Sequence, residues 1–248
     1  MGHQIVVDCE AYGGCPATGR LTWLGAVDLE RRMGDVQRPP RPVARVAHPP
    51  GRAVRPRVVL CVDVDGVLAD FVAGVCRYLR AFDPSVPLLR SADALGDDYD
   101  AWAPPHHLGA LWRARRGDLG GFWSSLDPIP DAAELRRLRE ARADKYYVTA
   151  RSGASPKAET EAWLRRVVGE PCPTVVVVDR SEAKRDVAAA VGATHVIDDR
   201  AEALEAYVAQ ADDFQVFGRR WLYNTGLTRP TIRWVRSLAE FLDGAGVP

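Results

Sequence analysis

Two aspartates, Asp63 and Asp65, stand one residue apart directly after the apolar run 58–62. The composition of this run, VVLCV, is typical of a strand buried on both faces in a parallel sheet covered by helices. Acidic side chains that follow such a strand have left the core, and in open α/β sheets ligands bind at the rim formed by the carboxyl ends of the strands. The pair is therefore a candidate for catalysis or metal binding, although two acids could also merely end a strand.

Three further strand-like segments are followed by side chains that suit phosphate chemistry. Thr149 follows the second segment, Lys184 lies in the first turn of the helix after the third, and Asp198 and Asp199 follow the fourth. Because parallel strands align their carboxyl ends, we expect these groups to converge with Asp63 on one crevice. Taken singly, the threonine and the lysine are also ordinary residues of a strand and of a solvated helix. Their order along the chain is what favours a shared site.

An alternation of strands and helices from residue 56 onward must position these groups. Strands are predicted at 58–63, 145–148, 174–178, 194–197 and 214–217. Helices are predicted at 131–142, from residue 155, from about 181, and at 200–210. This alternation is typical of βαβ units, so the predicted fold class is α/β with a Rossmann-like parallel sheet.

Local signals predict where several of these helices begin and end. Asp131 with Glu134 forms a capping-box pattern, and Ala132, Leu135 and Leu138 share one face of the same helix.

The next two helices carry terminal signals of other kinds. Ser155 followed by Pro156 has the order of an N-cap and a first-turn proline. Gly192 is well placed as the C-terminal cap of the helix that contains Lys184, whose inward residues are predicted to be Val187, Ala188 and Val191.

The stretch between the first strand and residue 131 is far longer than an ordinary crossover. Long insertions at the ligand-binding rim are usually lids or substrate-recognition modules. The sequence therefore predicts a small helical cap, inserted after the first strand at about residues 70–130. His106 and His107 within it are adjacent and have no other ligands at suitable spacing, which argues against a metal site there.

The ordered set of motifs resembles the haloacid dehalogenase (HAD) superfamily of phosphotransferases, and within it the 5′(3′)-deoxyribonucleotidase-like group. The resemblance rests on DVDGVLADF (63–71), FWSSLDPIPDA (122–132), VTAR (148–151), THVIDDR (194–200) and YNTG (223–226). A DxD pair alone is weak evidence, but four motifs in the family's order are specific. The four motifs lie in order over residues 58–199, and residues 58–248 are predicted to be a HAD phosphatase domain.

The resemblance implies a role for each residue of the set, with Mg²⁺ as the cofactor. Asp63, the backbone carbonyl of Asp65 and the side chain of Asp198 would bind the metal, which neutralises the dianionic ester. Asp63 would attack phosphorus and form an aspartyl-phosphate, while Asp65 acts as the general acid and then the general base. Thr149 and Lys184 would bind the phosphate.

Other residues are assigned supporting or substrate-binding roles. Asp199 is expected to support the metal ligands or Lys184, although either acid of the pair could be the ligand and Asp198 is only the favoured one. Gly66 is expected to form a tight turn that presents backbone N–H groups to the phosphate. The residues expected near the substrate are Phe71, Phe122, Trp123 and Arg151. The aromatic rings could instead form a small core of the cap, and Arg151, like Arg200, could merely balance charge.

The segment before the HAD-like region has a different character. Residues 5–27 resemble the first motif of DEDD-type 3′–5′ exonucleases, with Asp8 and Glu10 as its D-x-E pair, and we interpret residues 1–36 as an exonuclease-like fragment. Residues 37–57 contain six Arg, six Pro and no acidic residue, and are interpreted as a linker. Two strands cannot complete a two-metal site, so exonuclease activity is not expected.

Composition limits the class of protein. The 248 residues are 47% hydrophobic, and their 33 basic and 33 acidic side chains leave no net charge to recruit nucleic acid. No apolar run approaches the length of a membrane helix, and five cysteines without a CxxC pair favour a reducing compartment. We expect a cytoplasmic protein whose partner is a small phosphomonoester, with homodimer formation left open.

The leading hypothesis is thus a Mg²⁺-dependent phosphatase of nucleoside monophosphates. One alternative is a HAD phosphatase of another small metabolite or of a nucleic-acid 3′ end. Another, from a different class, is a nucleic-acid-binding adaptor that uses the basic linker while its HAD core is catalytically idle.

Overall fold

The computed structural model describes residues 57–93, 121–209 and 214–247. By its internal contacts the chain divides into two units, Met1–Gly51 and Arg52–Pro248, and all the described residues belong to the second. The expectations for residues 1–36, for the linker up to residue 56, and for His106 and His107 lie outside the described residues and stay predictions.

The described residues form a six-stranded sheet in which every neighbouring pair is parallel. Its strands are β1 (Val59–Val62), β2 (Asp144–Thr149), β3 (Thr174–Val177), β4 (His195–Asp198), β5 (Gln215–Arg219) and β6 (Ile232–Val235). The order across the sheet is β3-β2-β1-β4-β5-β6, so the direction of winding reverses between β1 and β4. In such sheets the crevice at the carboxyl ends of these two strands is where ligands bind, and the predicted α/β fold class is confirmed.

Helices connect the strands. They are α1 (Phe71–Arg80), α2 (Ala132–Glu140), α3 (Pro156–Val167), α4 (Lys184–Ala190), α5 (Ala201–Val208) and α6 (Leu238–Gly244). Single 3₁₀ turns at Trp123–Ser125, Ser181–Ala183 and Leu222–Asn224 occupy the connections at the rim. Within the part of the chain that the structure describes, no helix is both long and apolar enough to span a bilayer.

Strand β1 is buried on both faces, as its composition predicts. Leu60 and Val62 point into the larger hydrophobic cluster on one side of the sheet, and Cys61 points into the cluster on the other. Full burial of each aliphatic side chain contributes roughly 1.5–3 kcal/mol, so this strand is a rigid base for the acids that follow it. Burial also raises the pKa of the Cys61 thiol to about 12, which leaves it an inert packing residue.

The local sequence signals for these helices are confirmed with two exceptions. Asp131 and Glu134 form the capping box at the start of α2, Pro156 occupies the first turn of α3, and Gly192 follows α4 with φ +64°. The hydroxyl of Ser155 does not cap α3, because it bonds instead to Glu159 Oε1 at 3.2 Å.

The second exception lies on α2. Leu135 and Leu138 are buried as predicted, but Ala132 is exposed, because it lies in the first turn, where the helix has not yet reached the core.

The C-terminal part of the sheet differs most from expectation. Strand β5 begins one residue later than predicted and continues to Arg219, and neither β6 nor α6 was predicted. In β6, the polar Arg233 stands between apolar neighbours in a four-residue edge strand, which is too short a pattern to identify. These elements extend the sheet on the β4 side of the crevice.

Candidate active site

Strands β1 and β4 deliver the central charged groups of the site. Asp63 follows β1, Asp198 ends β4, and Lys184 begins α4. Lys184 Nζ lies 2.9 Å from Asp63 Oδ2 and 2.9 Å from Asp198 Oδ2, and all three residues are at most 4% exposed. The structure thus brings together residues that are far apart in the sequence, as the order of the motifs predicts.

Burial and mutual repulsion dominate the electrostatics of this cluster. The pKa of Asp63 is raised well above its ordinary value by burial and by the charge of Asp198, although Lys184 opposes the shift. Burial lowers the pKa of Lys184, but Asp198 and Asp63 outweigh it, and the pKa is raised. Lys184 therefore stays charged between the two acids, and its charge offsets part of their mutual repulsion.

The two acids after β4 have different hydrogen-bond partners. Asp198 Oδ2 accepts from Lys184 Nζ, and its Oδ1 accepts from the backbone N–H of Arg200 at 3.0 Å. Asp199 Oδ2 accepts a short hydrogen bond from the Tyr223 hydroxyl, whereas its Oδ1 is buried and has no partner among the described residues. Burial and the charge of Asp198 raise the pKa of Asp199 to about 6.

A buried carboxylate oxygen without a partner is costly, and a cation would satisfy it. Asp63, Asp198 and Asp199 each offer one oxygen, and these oxygens lie within 4.8 Å of one another. Clustered carboxylates are the ligands that hard divalent cations such as Mg²⁺ prefer. The residues present therefore fit a metal ion, and the free oxygen belongs to Asp199 rather than to Asp198.

The loop after β5 supports the edge of the crevice that carries the three clustered acids. The indole N–H of Trp221 donates to the Gly66 carbonyl at 2.7 Å, and Asn224 Nδ2 donates to the Asp199 carbonyl at 2.9 Å. Together with the Tyr223 hydroxyl, the loop fastens both acidic motifs to the end of β5. The YNTG motif in the sequence was the signal for this loop, but its contacts could not be read from it.

Gly66 forms the tight turn that the sequence predicts, but its own N–H is already hydrogen-bonded within that turn. Its own N–H donates to the Ala69 carbonyl at 2.9 Å and is thus not available to a phosphate. Its φ is +76°, and a Cβ at this position would collide with the carboxylate of Asp199. The glycine therefore allows the turn after Asp65 and makes room for Asp199.

Asp65 lies at the side of the crevice toward β2. Its Oδ2 accepts from the Thr149 hydroxyl at 3.3 Å, and Arg151 forms two hydrogen bonds of 2.8 Å with the same carboxylate, one to each oxygen. Thr149 is fully buried, whereas the Asp65 side chain is 25% exposed. Asp65 is thus the acid of the DxD pair that retains access to solvent and to a substrate.

The three aromatic residues predicted near the substrate pack against one another. Phe71 and Trp123 are stacked with centroids 5.6 Å apart, and Phe122 meets Trp123 edge-on at 5.1 Å. Each is at most 8% exposed and belongs to the larger hydrophobic cluster. The described structure supports the alternative of a small aromatic core rather than a platform for a base.

Two solved hydrolase structures have a fold similar to that of this chain. A haloacid dehalogenase-like hydrolase from Streptococcus pneumoniae aligns with a TM-score of 0.50 at 11% identity, over 76% of this chain and 98% of that one. A defluorinating L-2-haloacid dehalogenase aligns with a TM-score of 0.50 at 14% identity, over 77% of this chain and 95% of that one. At such identities the likeness shows the fold alone.

Sequence comparison is more specific. The human mitochondrial 5′(3′)-deoxyribonucleotidase is 27% identical over 160 residues, which are 60% of this chain and 64% of that protein. The chain thus matches less than two thirds of the length of this relative. The family model described as "5′ nucleotidase, deoxy (Pyrimidine), cytosolic type C protein" matches residues 57–222, the region that carries every residue of the site except the end of the supporting loop. This chain therefore belongs to that 5′-nucleotidase family, within the HAD superfamily.

Proposed function

We propose that this chain is a Mg²⁺-dependent phosphomonoester hydrolase that acts on nucleoside monophosphates through an aspartyl-phosphate on Asp63. The observation that carries the proposal is the pair of 2.9 Å contacts by which Lys184 joins the acids at the ends of β1 and β4. A buried cation between two carboxylates at the ligand-binding rim suits a reaction that gathers negative charge there.

The Mg²⁺ ion would be held by Asp63 and Asp199, together with the backbone carbonyl of Asp65. The sequence favoured Asp198 as the ligand, and Asp198 does offer an oxygen to the cluster. We favour Asp199 because its Oδ1 is buried and has no partner among the described residues, whereas Asp198 already binds Lys184. We therefore assign Asp198 to the orientation of Lys184. When bound, the ion neutralises charge on the phosphate, which otherwise repels an anionic nucleophile.

Asp63 is the nucleophile of the first step. Its Oδ1 accepts the backbone N–H of Val64 at 2.7 Å and its Oδ2 contacts Lys184, so the carboxylate is fixed before substrate binds. One carboxylate oxygen forms a bond to phosphorus as the bond between phosphorus and the ester oxygen breaks. Asp65, in its protonated form, transfers its proton to that departing oxygen.

Water completes the cycle. Asp65, now ionised, accepts a proton from the water that attacks the phosphorus of the aspartyl-phosphate, and the bond from phosphorus to Asp63 breaks. Inorganic phosphate leaves, and both acids return to their starting states. Lys184 balances the charge on Asp63 and on the phosphate throughout. The Thr149 hydroxyl, which donates a long 3.3 Å hydrogen bond to Asp65, would turn to donate to a phosphate oxygen instead.

The substrate class rests on the family rather than on the described contacts. The matched family is named for 5′-nucleotidases, and the human relative for activity on deoxyribonucleotides. The packed aromatic residues give no independent support for a base-binding surface. A nucleoside monophosphate is therefore the substrate to test first, with other phosphomonoesters as alternatives.

A phosphate-release panel tests the proposal. Ribo- and deoxyribonucleoside 5′- and 3′-monophosphates, small sugar phosphates and a 3′-phosphorylated oligonucleotide are each incubated with Mg²⁺ or with EDTA. We expect Mg²⁺-dependent release from nucleotides and none from an Asp63→Asn variant whose circular dichroism matches the wild type. Full hydrolysis by that variant would reject Asp63 as the nucleophile, and release from none of the esters would reject the proposed activity.

A further inference from the structure

The guanidinium group of Arg151 is committed to protein contacts. Its Nε and Nη2 donate to the two oxygens of Asp65 at 2.8 Å, and its Nη1 donates to Thr160 Oγ1 at 2.7 Å. The Arg151 side chain is 0% exposed. An arginine that uses all three nitrogens in this way does not suit the substrate contact that the sequence suggested.

Trp123 packs against the Arg151 guanidinium group and is itself held by hydrogen bonds. The guanidinium carbon lies 4.8 Å from the ring centroid of Trp123, and the Trp123 indole N–H donates to the Ser152 carbonyl at 3.1 Å. The Trp123 backbone N–H donates to Glu159 Oε2 at 3.0 Å. The Arg151 guanidinium group that binds Asp65 is thus held in place by helix α3 and by Trp123, which lies near the end of the predicted insertion.

A carboxylate held by two parallel bonds from a planar guanidinium has little freedom to rotate. We propose that Arg151 is a positioning residue that aims Asp65 at the leaving oxygen of the ester. The inference rests on the proposed function, because it concerns proton transfer during phosphate release. Arg151 would act through its two hydrogen bonds to Asp65 and not by binding the phosphoryl group or the ester oxygen.

A positioning role makes a specific kinetic prediction. A poor leaving group departs only when it is protonated, whereas a good leaving group departs without help. Loss of a correctly aimed acid therefore slows esters of weakly acidic alcohols and phenols far more than esters of acidic phenols. The diagnostic quantity is the slope of log kcat/KM against the pKa of the leaving phenol.

The experiment uses a series of substituted phenyl phosphates that share one scaffold, so that substrate contacts stay nearly constant. For Arg151→Met we expect a loss of about 100-fold on the least activated ester and less than about fivefold on the most activated one. Arg151→Lys, which keeps one charged donor, should give an intermediate slope. The matched control is Arg165→Met, because Arg165 lies on the same helix α3 and, among the described residues, forms a surface ion pair with Glu161.

A double variant separates positioning from other roles. If Arg151 acts through Asp65, adding Arg151→Met to Asp65→Asn should make the slope no steeper than Asp65→Asn alone. An equal loss across the series, with a lowered Tm, would mean a structural role, and a raised KM with an unchanged slope would mean a substrate contact. Either result overturns the inference.

Failure of the proposed function would look different. A wild-type chain that releases phosphate from no phenyl ester and no nucleotide would refute the phosphatase proposal itself. If the wild type is active and Arg151→Met shows the same slope of log kcat/KM against the pKa of the leaving phenol, only the role of Arg151 is refuted. If Arg151→Met does not fold by circular dichroism, the slope of Arg151→Lys decides.

Discussion

Lys184 Nζ and Asp63 Oδ2 lie 2.9 Å apart, and each side chain is only 3% exposed. A lysine so deeply buried remains charged only because carboxylates surround it, and here it neutralises the residue that we propose as the nucleophile. Structure and chemistry are thus coupled at this contact, because removal of Lys184 leaves Asp63 and Asp198 buried without their cation.

Replacement of Lys184 by Met should damage both stability and activity. Breaking a buried ion pair typically costs about 3–5 kcal/mol, and we expect a decrease of that size in the free energy of unfolding measured with urea. Phosphate release should fall by at least about 100-fold. The control is Lys145→Met, since Lys145 pairs with Glu170 at 2.8 Å near the opposite end of β2 and should affect stability alone. Equal losses of activity in both variants would contradict the assignment.

Replacement of Tyr223 by Phe should weaken metal binding. The tyrosine hydroxyl orients Asp199, and loss of such supporting hydrogen bonds typically lowers metal affinity by about 10- to 100-fold. The measurement is a titration with Mg²⁺ or Mn²⁺ followed by calorimetry and by the shift in Tm, which needs no turnover. Tyr146→Phe, in the middle of β2, serves as the control. Unchanged affinity in Tyr223→Phe would argue against Asp199 as a ligand.

Two glycines with positive φ allow a matched comparison. Gly192→Ala at φ +64° meets no atom within 4 Å and should cost only the conformational penalty, about 1–2 kcal/mol. Gly66→Ala at φ +76° adds a collision with Asp199, so it should destabilise more and should also lower metal affinity. Urea unfolding and metal titration of both variants check this. Equal destabilisation by the two substitutions would mean that the loop yields without disturbing Asp199.

Stability should depend on the protonation of His195. Burial and the charge of Arg233 lower the pKa of this imidazole below its ordinary value of 6.5, so the unfolded chain binds the proton more readily than the folded one. The contribution of neutral His195 to the free energy of unfolding is therefore complete above about pH 6.5. It is lost as the pH falls from there toward the pKa of His195 in the folded protein. Urea unfolding between pH 5 and 8 should show that His195→Gln lacks this part of the decline. An identical profile in wild type and variant would refute it.

The sequence predicted the elements whose patterns are strong. Strands β1 and β3 are apolar runs, and β2 and β4 contain shorter ones. Polar groups at the ends of β1, β2 and β4, and Lys184 in the helix after β3, are what allowed the sequence to locate the site. The partners within the site could not be located in this way. Asp198 and Asp199 are the same residue type at adjacent positions, and only their hydrogen bonds distinguish them.

Contacts between distant segments account for the other differences. Arg151 was expected beside a substrate, but in the folded protein its guanidinium group donates to both carboxylate oxygens of Asp65. Trp123 was expected beside a base, yet it backs that same arginine. In both cases the residue type indicated a contact with a planar or anionic group of the substrate. In the folded protein, Arg151 contacts the carboxylate of Asp65 instead, and Trp123 contacts the guanidinium group of Arg151.

The loop from Trp221 to Asn224 has a practical consequence for anyone who shortens this chain. The region matched by the family model stops at residue 222, one residue before the hydroxyl that binds Asp199 and two before the amide that binds its backbone. An expression product trimmed to that boundary would also lack β6 and α6, which flank the β5 end of the sheet. It would retain every acidic residue of the four motifs but would lose the two hydrogen bonds that hold Asp199 in its orientation.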